Sequence, residues 1–259
     1  MARSGAHRPG TFCWHDIGTT DLARLKRFYR SLFGWTAKDF PMGDGEQHYT
    51  IFRLRGKDVC SLYPAPPPRK GTKPAWKPYI AVNNADAIAN KVEAAGGTVL
   101  LPPLEVMGLG RAAIFKDPSG AEVAVWQARR HRGSQIDDVP GAVCWHDLNT
   151  RKRQAAIPFY SAVFGWKPQQ IGVGRYSYHI FKLGRMNAAG MWPVAMDGLA
   201  AMWLTYFETG DCAAAVAKAK RLGATALMGA TEVPGPGHRF AVLRDPLGAA
   251  FGLFEFNKR

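Results

Sequence analysis

The chain contains its own copy. Phe12-Cys13-Trp14-His15-Asp16-Ile17 returns 131 positions later as Val143-Cys144-Trp145-His146-Asp147-Leu148. Phe28-Tyr29 and Phe33-Gly34-Trp35 return at the same offset as Phe159-Tyr160 and Phe164-Gly165-Trp166. Tyr49 through Leu54 answers to Tyr178 through Leu183, Trp76 and Tyr79 to Trp203 and Tyr206, and Asp117-Pro118 to Asp245-Pro246. The offset drifts only between 127 and 131, so one unit is used twice. Self-similarity of this kind decides architecture before local detail. It predicts an N-terminal domain over 1–133 and a C-terminal domain over 134–259, joined by the polar stretch Ala128 to Pro140. A chain of 259 residues fits two domains, since a typical one takes about 100–200 residues.

Within a unit the periodicity is readable. Phe12 to Ile17 spells a short strand. Asp21 is placed to cap a helix whose apolar face is Leu22, Leu25, Phe28, Tyr29 and Leu32, and Gly34 ends it. Tyr49–Leu54, Val59–Tyr63 and Tyr79–Val82 read as strands. A second helix, Ala85 to Ala95, stops at Gly96-Gly97, and strands follow at Thr98–Leu101, Ala112–Phe115 and Ala121–Trp126. The pattern is β-α-β-β-β twice per unit, hence four modules in an α+β fold. Each sheet is expected to cover one apolar face with its own helices, leaving the other face to line a concave cleft. The Pro-rich run Pro64 to Pro68, followed by Arg69-Lys70, reads as a stiff connector between modules.

These motifs together resemble the vicinal oxygen chelate superfamily, which is also called the glyoxalase, bleomycin resistance protein and extradiol dioxygenase superfamily. The residues that carry the likeness are Asp21, Phe28-Tyr29, Phe33-Gly34-Trp35, Ala94-Ala95-Gly96-Gly97 and Asp117-Pro118-Ser119-Gly120, with their copies in the second half. The counterparts include Leu222-Gly223-Ala224 and Asp245-Pro246-Leu247-Gly248, and Lys152 stands in place of Asp21. The doubled layout is similar to two-domain bacterial proteins labelled glyoxalase-like or hydroxylase. The resemblance implies curved sheets around clefts and, in enzymes of the superfamily, one divalent metal that acts as a Lewis acid on vicinal substrate oxygens.

The residues at the matching ligand positions do not carry that metal over. The first ligand position falls on Trp14 and Trp145, the next on Lys77 and Leu204, and the last on Ala124 and Gly252. None of these is an oxygen or imidazole ligand. His15 and His146 lie one residue away, and strand alternation turns them to the opposite face unless a bulge shifts the register. Glu122, His48, His179, Glu208, Glu255 and His238 are candidate partners for a rescue site, and none repeats cleanly between the halves. The sequence therefore predicts clefts without the standard metal, lined by Trp14, Asp16 and Trp126 in one half and by Trp145, Asp147 and Phe254 in the other. Arg111 and Arg239, at the entrance to equivalent strands, are candidate contacts for an anionic group. The leading expectation is a protein that binds a small organic, aromatic molecule by stacking, with no cofactor. The alternative is a metal-dependent lyase, isomerase or dioxygenase holding Fe, Mn, Ni or Zn through His15 or His146.

Composition narrows the partners. Lys plus Arg is 34 against 20 Asp plus Glu, a net charge of +14, but the basic residues are scattered and framed by no nucleic-acid motif. No run of about 18 apolar residues suits a membrane span, and no secretory signal opens the chain. Four cysteines, none in CxxC spacing, suit neither a disulfide framework nor a thiolate zinc site. A cytoplasmic monomer or homodimer with a small-molecule ligand is expected, without nucleic acid or membrane partners.

Overall fold

The computed structural model describes residues 7–42, 47–65, 74–173, 176–192, 196–234 and 237–257. The Pro66 to Lys70 part of the connector lies outside them. The first half runs β1 (Phe12–Thr19), α1 (Leu22–Phe33), β2 (Thr36–Met42), β3 (Gln47–Leu54), β4 (Lys57–Pro64), β5 (Trp76–Ala81), α2 (Ala85–Ala94), β6 (Thr98–Val106), β7 (Gly110–Lys116) and β8 (Glu122–Ala128). The second half repeats it as β9 (Val143–Asn149), α3 (Arg153–Phe164), β10 (Lys167–Val173), β11 (Tyr176–Leu183), β12 (Met186–Met191), β13 (Met202–Glu208), α4 (Cys212–Arg221), β14 (Thr225–Glu232), β15 (Arg239–Arg244) and β16 (Ala250–Glu255). Each half forms an open eight-stranded sheet, in the orders β2-β3-β4-β1-β5-β8-β7-β6 and β10-β11-β12-β9-β13-β16-β15-β14. The two modules of a half are joined in the middle, where β1 pairs antiparallel with β5 and β9 with β13.

Local chemistry sets the helix ends. The Asp21 carboxylate accepts from the Arg24 amide at 2.9 Å, and Gly34 closes α1 in the left-handed region at φ 73°. Lys152 offers α3 no such cap; what the two helix starts share is the threonine two residues earlier, Thr19 accepting from the Asp21 amide at 3.1 Å and Thr150 from the Lys152 amide at 3.0 Å. Leu25, Phe28, Tyr29 and Leu32 are buried, as the helical spacing requires.

The core is shared between the halves. The expectation that each sheet is covered by its own helices alone is corrected here. Leu25, Phe28 and Tyr29 of α1 pack in one cluster with Phe207 of β13, Val216 of α4 and Phe251 of β16. Val92 of α2 and Phe115 of β7 share the other large cluster with Phe159 and Tyr160 of α3 and Trp203 of β13. The helices thus form a layer between the two sheets, first module against fourth and second against third.

Polar bonds cross the same boundary. Tyr29 donates to Asp245 at 2.8 Å and accepts from the Trp76 indole at 2.9 Å. Tyr160 donates to Asp117 at 2.9 Å and accepts from the Trp203 indole at 2.7 Å. Each Asp-Pro turn, with its carboxylate already capping local amides, is thereby tied to a helix of the other half. The Trp35 and Trp166 indoles donate across to the carbonyls of Gly141 and Gly10. The family motifs hold the halves together, and the concave faces are left outward.

Candidate functional site

The central strands decide what enters each cleft. A bulge between Phe12 and Trp14 turns Phe12 toward the helix layer, while Trp14 and Asp16 face the concave side. The bulge falls one step too early to bring His15 into the cleft. His15 and His146 project into the boundary between the sheets, where their rings stack at 4.8 Å and their Nε2 atoms meet at 2.6 Å. Phe12 stacks on His146 at 3.8 Å. Burial holds His15 down to about 3 and His146 well below its ordinary value, so both are neutral and one N–H donates to the other nitrogen.

On the first concave face the Trp14 indole donates to the Tyr49 hydroxyl at 3.1 Å and to Ser61 Oγ at 3.0 Å. Tyr49 and Ser61 lie 2.5 Å apart, oxygen to oxygen. Asp16 is 6% exposed and accepts from the Tyr79 hydroxyl at 2.7 Å through Oδ2; its Oδ1 has no partner among the described residues. Burial pushes the Asp16 carboxyl up to about 6, with the Tyr79 bond and the Lys77 charge pulling the other way. Trp126 lies on the same face, its indole donating to the His131 carbonyl at 2.8 Å, and the His131 ring meets Trp14 edge-on at 4.4 Å.

The second face has the same plan and a tighter network. Trp145 donates to Tyr178 at 2.9 Å and to Asp147 at 3.1 Å, and Tyr178 donates to the same carboxylate oxygen. Tyr206 bonds Asp147 as well and accepts from the Trp192 indole at 3.1 Å. Burial raises Asp147 to about 6 against these three donors. Phe254 sits beside Tyr206, Phe256 and His238.

Trp14, Asp16 and Trp126 are therefore brought together, as are Trp145, Asp147 and Phe254. Arg111 and Arg239 are not. Arg111 precedes Ala112, which faces the cleft, so alternation turns it to the helix side, where it meets Asp86 of α2 at 2.8 Å. Arg239 stands in the same relation to Phe240 and lies opposite Glu255, whose carboxylate accepts from the amide of Cys212 in α4. Glu122 sits at the strand start, paired with Lys116 at 3.7 Å, on a groove of about 410 Å³ that Lys77 and Arg244 also line. Among the described residues no three His, Cys, Asp or Glu side chains gather as a metal site. Residues that sequence reasoning passed over are Ser61 and the tyrosines Tyr49, Tyr79, Tyr178 and Tyr206; the repeated Tyr pairs were the available signal.

Residues 12–125 match the Glyoxalase/Bleomycin resistance protein/Dioxygenase superfamily. A Mycobacterium tuberculosis protein named "Putative glyoxylase CFP32" is 37% identical over 258 residues, 98% of each chain. The chain belongs to this superfamily. A second relative, the anthracycline biosynthesis protein DnrV of Streptomyces peucetius, is 35% identical over 96% of this chain and 94% of its own. Among solved structures, the Mn(II)-bound glyoxalase of Novosphingobium aromaticivorans superposes with a TM-score of 0.67 at 18% identity, covering 96% of this chain and 82% of that one. That likeness shows the superfamily's fold. The positions that the resemblance assigns to metal ligands carry Trp14, Lys77 and Ala124, then Trp145, Leu204 and Gly252. An indole N–H is a donor only, and a methyl or a hydrogen offers nothing, so these sets do not fit a divalent ion.

Proposed function

We propose that this protein binds a small, flat, aromatic molecule in its concave clefts and does so without the superfamily's divalent metal. The observation that carries the reading is the tryptophan at the first ligand position of each half, its indole bonded to a neighbouring tyrosine rather than to a catalytic group. Ring faces from Trp14 and Trp126, or from Trp145 and Phe254, supply stacking walls, and each pair of stacked rings contributes about 0.5–1.5 kcal/mol beyond buried area. Asp16, with one carboxylate oxygen unpaired, supplies the polar handle that orients the ligand. The relative named for anthracycline biosynthesis supports a fused-ring ligand. Four free cysteines suit a reducing, cytoplasmic setting. No helix among the described residues is long and apolar enough to cross a membrane.

Two measurements test this. Protein purified without chelator is analysed for metal, and its Trp fluorescence is titrated with hydroxylated naphthalenes and anthraquinones. The expected result is less than a tenth of an equivalent of bound metal, with saturable quenching. One tightly held Fe, Mn, Ni or Zn per chain, lost in His15→Ala, would overturn the reading.

A further inference from the structure

The two clefts differ at positions that decide where hydroxyl groups point. Ser61 of β4 lies opposite Asp16, and Gly190 of β12 lies opposite Asp147. In the second half, a Cβ at Gly190 would collide with the Tyr178 hydroxyl and Asp147 Oδ1, so that glycine is what lets Tyr178 close on the carboxylate. In the first half Ser61 fills the space and takes the Tyr49 hydroxyl for itself. A second pair acts the same way. A Cβ at Gly252 would run into the Tyr206 ring, which lies flat on that strand and is 1% exposed. Ala124 carries that methyl in the first half, and Tyr79 stands half-buried above it.

The consequences are opposite. Asp147 is saturated by Trp145, Tyr178 and Tyr206, and among the described residues Leu204, Trp192, Met196, Leu199 and Met202 share one packed cluster with Trp145 and Tyr206. Asp16 keeps a buried oxygen without a donor, among the half-buried Tyr49, Tyr63, Tyr79 and Lys77. A buried acceptor left unmade is costly, and a ligand that satisfies it gains that penalty back.

We propose that the first half holds the working cleft, which takes a flat aromatic molecule whose hydroxyl donates to Asp16 Oδ1, and that in the second cleft Trp145, Tyr178 and Tyr206 already occupy the carboxylate. This rests on the aromatic-binding reading above and adds which half binds and what the ligand must carry. The Trp14–Tyr49–Ser61 chain positions the site, and the unpaired oxygen selects a donor over an ether of the same shape.

The test compares 2-naphthol with 2-methoxynaphthalene, which differ in that one proton, by calorimetry on the full chain. Wild type is expected to bind one 2-naphthol per chain and to hold the ether about tenfold more weakly. In Ser61→Gly, Tyr49 is free to close on Asp16 as Tyr178 closes on Asp147, so the phenol-to-ether ratio falls to near one. The ether's own affinity in that variant serves as the check that the cleft still folds. Indole N–H resonances, assigned with Trp14→Phe and Trp145→Phe, place the site: Trp14 is expected to shift and Trp145 to stay. Equal wild-type affinities for phenol and ether, two sites per chain, or movement of Trp145 would each overturn the assignment while leaving aromatic binding standing. Failure of both compounds to bind would overturn the aromatic-binding reading and the assignment with it.

Discussion

Asp16 shows how one residue couples function to stability. In the unfolded chain its carboxyl titrates near the ordinary 3.8, and in the fold burial lifts it to about 6. A carboxyl raised by folding favours the native state below 3.8, and that contribution is lost as pH rises through about 6. At pH 8 the native state buries a charge with one oxygen unmatched, which Asn does not do. Asp16→Asn is therefore expected to be more stable than wild type by about 1–2 kcal/mol at pH 8, with the advantage gone below pH 4. Urea denaturation at the two pH values checks it, and an equal difference at both would show that packing rather than charge decides. Much of this residue's setting was legible: alternation along the strand put Trp14 and Asp16 on one face and His15 on the other. The Oδ1 vacancy was not, because it depends on Ser61, a partner that β4 brings alongside from 45 positions away.

At the scale of elements, helix termini and the succession of elements along the chain followed from local signals, while strand-to-strand detail did not. Asp21, Gly34 and the Leu25-Phe28-Tyr29-Leu32 stripe mark α1 without any tertiary information. The orientation of Arg111 was also available, since Ala112 beside it is a cleft residue and neighbours in a strand point apart. The role of Gly190 was not available, because an isolated glycine in a strand reads only as close backbone approach, with no hint of which side chain approaches. The structure names it. Gly190→Ala forces the Tyr178 hydroxyl and Asp147 apart and is expected to cost about 1–3 kcal/mol, the range for overpacking a filled site. Ala188→Gly, two residues earlier on β12, removes a methyl and is expected to cost about 1 kcal/mol through backbone freedom and lost packing. Thermal denaturation of the two variants separates crowding at Asp147 from general weakness of the strand.

The whole molecule is two copies locked back to back, and the repeat alone could not say so, because a duplicated unit can pack in several ways. The lock rests on residues that are ordinary core positions within one unit: the Tyr29–Asp245 and Tyr160–Asp117 bonds, and the His15–His146 pair at the centre. Around that pair stand His7, Phe12 stacked on His146, Pro78 opposite His15 and Thr205 opposite His146. None of these offers a carboxylate that would welcome a proton. Both imidazoles keep depressed values in the fold, His15 near 3, whereas an unfolded histidine titrates near 6.5. Between those values the unfolded chain binds protons that the native state refuses, so stability is full above about 6.5 and falls as pH drops toward 3. From one imidazole the loss is roughly 1 kcal/mol by pH 5.5 and grows below it. Replacing His146 by Asn removes one such group and leaves an amide oxygen to accept the His15 N–H. The slope of unfolding free energy against pH between 4 and 6 is expected to flatten in that variant relative to wild type, and to flatten less in His179→Asn, on the half-exposed face of β11, where burial and Arg153 lower the imidazole less than at His146. A wild-type slope equal to that of His146→Asn would mean that the protons enter elsewhere, and that acid does not part the halves through this contact.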